Sequence, residues 1–238
     1  MLTYKVRYLF ILLVCPFLFC FCDSKHDTQQ TANSQTGKTA DSTTAPIKPA
    51  QTRTILFFGN SLTAGYGLDL AQAFPSLIQQ KIDSLQLPYV VVNAGLSGET
   101  SAGGKARISW VLRKPVDVFV LELGANDGLR GLELTQTRRN LQAIIDTVKA
   151  RNPDTKIVIA GMQMPPNLGQ QYTSDFRQLF PDLAGKNQAT LIPFLLDRVG
   201  GIAALNLPDG IHPTAEGHRL VAENVWQVLE PLLTESGS

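Results

Sequence analysis

The chain has 238 residues, with 21 lysines and arginines against 20 aspartates and glutamates, for a net charge of +1. Its basic residues are scattered, so it lacks the clustered positive face that nucleic-acid binding requires. The length suffices for one sizeable domain and its core. All three cysteines fall within the first 22 residues, which excludes a disulfide framework and a thiol nucleophile from everything after them.

Residues 1–22, "MLTYKVRYLFILLVCPFLFCFC", read as a targeting leader. Lys5 and Arg7 form a positive n-region, and the apolar run from Leu9 to Leu18 is short for a membrane span. An uncleaved anchor is the alternative. Cys20 or Cys22 could carry lipid, although phenylalanine, not the small residue usual before a lipidated cysteine, precedes both. The sequence leaves a plain signal peptide and a lipoprotein leader both open. Either places the mature chain outside the cytoplasm, as a periplasmic, secreted or membrane-anchored protein.

Residues 23–52 contain no aromatic residue and almost no aliphatic one. Such a stretch cannot bury enough apolar surface to offset the entropy of ordering, so it reads as a disordered tether. The folded part is then expected over residues 53–235.

From Arg53 onward strand and helix patterns alternate. Strands are predicted at 54–58, 89–93, 116–123, 156–162 and 190–195, rich in Val, Ile, Leu and Phe with little alternation. That composition suits strands covered on both faces. Helices are predicted at 73–86, 101–113, 135–151, 174–187 and 215–233. The alternation predicts a parallel, doubly wound α/β sheet. Trp110 and Trp226 fall in helical patterns and read as core or helix-packing residues.

In such a sheet ligands gather at the carboxyl ends of the strands. The first strand runs into "FFGNSLTAGYG", where Gly59 and Ser61 place a hydroxyl at a tight strand-to-helix turn. The second runs into "VVNAGLSGETSAGG", the third into "LELGANDGLRG", and the fourth into "GMQMPPNLGQQYT", a proline-rich loop placed to lie over the site. Beyond the fifth lies "LPDGIHPTAEGH". There Asp209 sits three residues before His212, so its carboxylate can fold back onto the imidazole and hold it as a base. Of the other histidines, His26 lies in the tether and His218 reads as an exposed helical residue.

Together these loops make Ser61 a nucleophile, His212 its base and Asp209 the orienting carboxylate, in the chain order Ser–Asp–His. The backbone N–H groups of Ser61 and Gly98, with the carboxamide of Asn126, are the donors available to a developing oxyanion. Taken singly, Gly98 as a turn glycine and Asn126 as an Asx-turn former would be the better readings. A phosphate loop is disfavoured, because G-x-x-x-x-G-K-[ST] is missing. A metal site from Asp209, His212, Glu216 and His218 lacks the spacing of known ligand sets. The residues therefore call for no metal and no cofactor.

The four blocks around Ser61, Gly98, Asn126 and His212 resemble those of the GDSL/SGNH hydrolase family, in family order, over about residues 54–232. The likeness is strongest to its branch of bacterial arylesterases and multifunctional periplasmic thioesterase/lysophospholipases. The resemblance implies a flavodoxin-like three-layer sandwich with five parallel strands, the SGNH hydrolase fold. It implies catalysis by Ser61, Asp209 and His212, with an oxyanion hole from Ser61, Gly98 and Asn126. It also implies a small-molecule carboxylic ester as substrate, hydrolysed through an acyl-enzyme on Ser61. A carbohydrate O-acetyl esterase is the alternative, followed by a non-catalytic glycan-binding module on the same fold. One departure stands out: the first block usually reads G-D-S, and here it is Gly59-Asn60-Ser61.

Overall fold

A computed structural model describes residues 52–234. The leader, most of the tether, and with them Cys15, Cys20, Cys22 and His26, lie outside the described residues. The strands are β1 (Arg53–Gly59), β2 (Tyr89–Gly95), β3 (Val118–Glu122), β4 (Lys156–Ala160) and β5 (Thr190–Ile192). The helices are α1 (Ser61–Ala64), α2 (Phe74–Ser84), α3 (Ser101–Val111), α4 (Ala125–Leu129), α5 (Leu134–Arg151), α6 (Gln170–Asn187) and α7 (Ala215–Thr234).

The strands form one parallel sheet in the order β2-β1-β3-β4-β5. Every residue of β3 is buried, as are Ile55 to Gly59 of β1. Apolar side chains on both faces need a cover on both faces. Helices α2 and α7 pack together, while α3 packs on α5 and α5 on α6, giving the two outer layers. Phe57, Phe58, Phe119, Phe176 and Phe180 fill the core between them.

The chain steps from β1 outward to β2, then returns past β1 to β3. Loops that leave in opposite directions part at this point and open a crevice at the carboxyl ends of β1 and β3. That reversal places Ser61 after β1, Gly98 after β2 and Asn126 after β3 around one edge.

Three predicted strands, those of β3, β4 and β5, are longer than the real ones, and for β5 and β3 the reason is local. β5 ends at Ile192 because Pro193 has no N–H for the ladder; beyond it the Gly161 N–H donates to the Ile192 carbonyl and the Gly161 carbonyl accepts the N–H of Leu195. β3 ends at Glu122 because Gly124 turns the chain at φ 113°. The short helices α1 and α4 were not predicted, being too brief to show a helical period. Trp110 is not a packing residue: it is 62% exposed and lies under the Arg113 guanidinium. Trp226 is buried, as predicted, with Lys81 over its ring.

Candidate active site

The site starts at Gly59, where any side chain would collide with Thr63 and Glu122. Without one, the chain turns directly into α1. Asn60 caps that helix through Oδ1, which accepts the N–H of Leu62 at 3.0 Å. Ser61 is the first helical residue and is 8% exposed. Its own N–H has no acceptor among the described residues.

His212 and Asp209 come from the loop before α7. The N–H of Leu207 donates to the His212 carbonyl at 2.7 Å, and the N–H of Gly210 donates to Leu207 at 2.8 Å. Gly210 takes φ 70°, which closes this narrow loop. Thr214 then caps α7 by accepting the N–H of Gly217 at 3.2 Å, and so anchors the loop to a long helix.

Within the loop, Asp209 Oδ1 accepts the N–H groups of Ile211 (2.9 Å) and His212 (3.0 Å). Its Oδ2 lies 2.7 Å from His212 Nδ1. The bond from His212 first, then the two backbone N–H groups, hold the Asp209 carboxyl down at about 2, so it is ionised at any working pH. A carboxylate can only accept, so His212 carries its hydrogen on Nδ1 and presents a bare Nε2. That Nε2 lies 2.8 Å from Ser61 Oγ. On another side, the Tyr66 ring lies 4.5 Å from the His212 ring, tilted by 38°.

Gly98 takes φ 79° with open space where a side chain would be, and its N–H has no acceptor among the described residues. Its loop is tied to the turn that carries Ser61 by Leu96, whose N–H donates to Gly59 at 2.9 Å. Arg130 reaches the Gly98 carbonyl at 3.2 Å. Asn126 donates one carboxamide hydrogen to the Glu99 carbonyl at 3.0 Å, which leaves its second N–H uncommitted. Beside it, the buried Asp127 accepts from the N–H (2.8 Å) and hydroxyl (2.5 Å) of Ser101 and holds α4 against α3. Asn126 is therefore a braced side chain rather than a free turn residue.

Ser61, Asn126 and His212 open onto one cavity of about 440 Å³. Its other walls are largely apolar: Leu129 from α4, Met162 and Met164 from the proline-rich loop, and Phe194 and Leu196 beyond β5. No lysine or arginine lines it among the described residues.

One expectation needs correction, and one residue is new. His218 is not an exposed helical residue. It is 1% exposed, its Nδ1 accepts the N–H of Phe74 at 3.1 Å, and its ring stacks on Phe74. Burial, helped by the nearby His212, pushes it down to about 4. The sequence motifs assign no role to Glu122. It lies beneath the turn that carries Ser61, 2% exposed, and bonds to Asn60 and Thr63. Its only signal is an acidic residue at the end of an otherwise apolar strand.

The four residues rejected as a metal set do not converge. Glu216 pairs with Arg219, and His218 faces Phe74.

A hydroxyl, an imidazole and a carboxylate linked in series at the carboxyl edge of a parallel sheet define a serine hydrolase. The chain belongs to the GDSL-like Lipase/Acylhydrolase family, whose profile matches residues 57–220. It is 41% identical over 186 residues to Esterase TesA of Pseudomonas aeruginosa, covering 77% of this chain and 91% of that protein. It is 35% identical over 188 residues to thioesterase 1/protease 1/lysophospholipase L1 of Escherichia coli K12, covering 79% of this chain and 88% of that one. The fold matches the crystal structure of the psychrotrophic esterase EstA from Pseudoalteromonas sp., inhibited by monoethylphosphonate. That match has a TM-score of 0.72 at 31% identity and covers 76% of this chain and 99% of that one.

Proposed function

We propose that this chain hydrolyses carboxylic esters of short to medium acyl chains, and thioesters of the same acids, with Ser61 as nucleophile. The observation that carries the reading is the continuous line from Asp209 Oδ2 through the His212 ring to Ser61 Oγ, at 2.7 and 2.8 Å. His212 takes the Ser61 proton as Oγ attacks the carbonyl carbon. The imidazolium so formed is held by the Asp209 carboxylate. The N–H groups of Ser61, Gly98 and Asn126 receive the charge that develops on the carbonyl oxygen. Collapse of the tetrahedral adduct expels the alcohol or thiol, protonated by His212, and leaves the acyl-enzyme. Water activated by the same imidazole attacks it, releasing the acid and restoring the Ser61 hydroxyl.

The apolar walls of Met162, Phe194 and Leu196, with no cationic side chain beside them, favour an uncharged acyl chain over an anionic one. The names of the relatives, esterase, thioesterase and lysophospholipase, agree with hydrolysis of esters and thioesters. We also propose that residues 53–235 are the catalytic domain, carried out of the cytoplasm by the leader 1–22 on the tether 23–52. A lipid on Cys20 or Cys22 would hold it at a membrane.

The test is a panel of p-nitrophenyl esters of increasing acyl length, a lysophospholipid and an acetylated xylose, assayed with wild type, Ser61→Ala and Asn126→Ala. Ser61→Ala should lose at least about 10³-fold in kcat with its fold intact. Asn126→Ala should lose roughly 10²- to 10³-fold in kcat, with a much smaller change in KM, as expected when a donor to the oxyanion is removed. An active Ser61→Ala would overturn the assignment. A preference for the acetylated sugar would replace the acyl-ester reading with the carbohydrate one.

A further inference from the structure

The turn that carries Ser61 closes on a buried charge that the reaction above does not use. Glu122 Oε1 accepts the Asn60 carboxamide N–H at 2.7 Å. Its Oε2 accepts the backbone N–H of Asn60 at 3.1 Å, that of Thr63 at 3.3 Å, and the Thr63 hydroxyl at 2.8 Å. The residue before Ser61 and the second residue after it therefore end on one carboxyl group. Gly59 leaves the space for it, since a Cβ there would lie 2.5 Å from Oε2.

All four contacts bring a hydrogen to Glu122. A carboxylate accepts all four; a carboxylic acid would aim its own hydrogen at one of the donors and break that contact. Asn60 fits the same logic. Its Nδ2 donates to Glu122 while its Oδ1 accepts from Leu62, so both ends of the carboxamide are used. The side chains in contact with Glu122 are neutral. The charged groups nearby in the loops bond elsewhere: Glu99 to Arg107, Asp127 to Ser101, Asp209 to His212. Burial pushes the carboxyl up to about 7, against the pull of the four hydrogen bonds.

We propose that Glu122 is a positioning residue for the nucleophile and works as a carboxylate, and that Asn60 gives it a permanent hydrogen which an aspartate at the same place would hold only as a shared proton. The inference rests on Ser61 being the nucleophile. Two protonation conditions then govern the acid side of the pH profile: neutral His212 and ionised Glu122. On the alkaline side the wild type has no clamp proton to lose. In an Asn60→Asp variant, the new carboxyl group and Glu122 reproduce the present geometry only while the pair holds one proton. When that proton leaves, two carboxylates face each other in a buried site.

The test is the pH profile of kcat/KM on one p-nitrophenyl ester for wild type, Glu122→Gln and Asn60→Asp, with Ser61→Ala as control. In the wild type, log kcat/KM should fall toward acid with a slope approaching two and level off toward alkali. Glu122→Gln, which turns an amide N–H toward donors, should lose roughly tenfold to a hundredfold in kcat and fall toward acid with a slope of one. Asn60→Asp should be active near neutrality and decline toward alkali, turning the plateau into a bell. A wild-type slope of one, a slope that Glu122→Gln leaves unchanged, or an Asn60→Asp profile with the wild-type plateau would overturn the inference. If Glu122→Gln does not fold, Asn60→Asp decides alone: a bell supports the clamp and a plateau overturns it. An active Ser61→Ala would remove the underlying reading. An inactive Ser61→Ala beside wild-type profiles in the other two variants would remove the clamp only.

Discussion

His212 and His218 stand six residues apart, on either side of the start of α7, and each lies against an aromatic ring. They nevertheless have opposite fates. His212, on the loop, bridges a hydroxyl and an exposed carboxylate, and its ring can take a proton and find that charge matched at 2.7 Å. His218, one turn into the helix, is sealed against Phe74 with its Nδ1 committed to a backbone N–H, and a proton there would be buried without a counter-ion. The difference is one of partners and burial, not of residue type. A histidine serves as a base only where its protonated form is stabilised, and as a structural acceptor only where it is not.

The largest effect should come from His212→Ala. Loss of the proposed base is expected to lower kcat by about 10³-fold or more, with a melting temperature close to wild type because the side chain packs on a loop. Kinetics beside thermal unfolding would show this. A large drop in stability with kcat intact would reverse the two roles.

His218→Leu should do the converse. It leaves the Phe74 N–H without its acceptor, which costs about 1–3 kcal/mol near pH 8, while kcat stays close to wild type. The pH dependence sharpens the point. The folded protein holds His218 at about 4 against 6.5 for an ordinary histidine. Its contribution is therefore fully present above 6.5 and lost as pH falls toward 4, a change of about 3 kcal/mol. Glu122, raised by burial to about 7 from 4.5, acts with the opposite sign: its contribution is present below 4.5 and lost as pH rises through 7. The informative quantity is thus the difference between wild type and His218→Leu in denaturant unfolding. That difference should shrink from about pH 8 to about pH 4; a constant difference would contradict the buried, proton-excluding site.

The smallest effect concerns the rings. Tyr66 is 51% exposed and its face lies near the imidazole that becomes charged. Tyr66→Ala should lower kcat/KM by about two- to fivefold, in line with about 0.5–1 kcal/mol for an exposed cation–ring contact, and Tyr66→Phe should restore most of it. Equal loss in both variants would show that the hydroxyl, not the ring, is what His212 needs.

The sequence alone carried the order of strands and helices. Uninterrupted apolar runs separated by helical periods leave few arrangements other than a doubly wound parallel sheet. It also carried Ser61, Asp209 and His212 as candidates. Two of these share a short loop whose backbone can make only a few turns, and all three lie within two residues of a glycine: Gly59, where the backbone comes close to Thr63 and Glu122, and Gly210, which takes φ 70°. What it could not carry was the outcome of packing. His218 is polar and falls where a helix begins, so it reads as exposed; only the placement of α2 over α7 buries it under Phe74. Trp110 is large and apolar and reads as core, yet α3 turns it outward. Glu122 reads as a strand end. Its partners Asn60 and Thr63 lie 62 and 59 residues away in the chain, and only the pairing of β1 with β3 brings them to it. Local chemistry is written in short stretches because turns and caps depend on neighbours in the chain. Burial and charge pairing depend on neighbours in space, and these exist only once the sheet has closed.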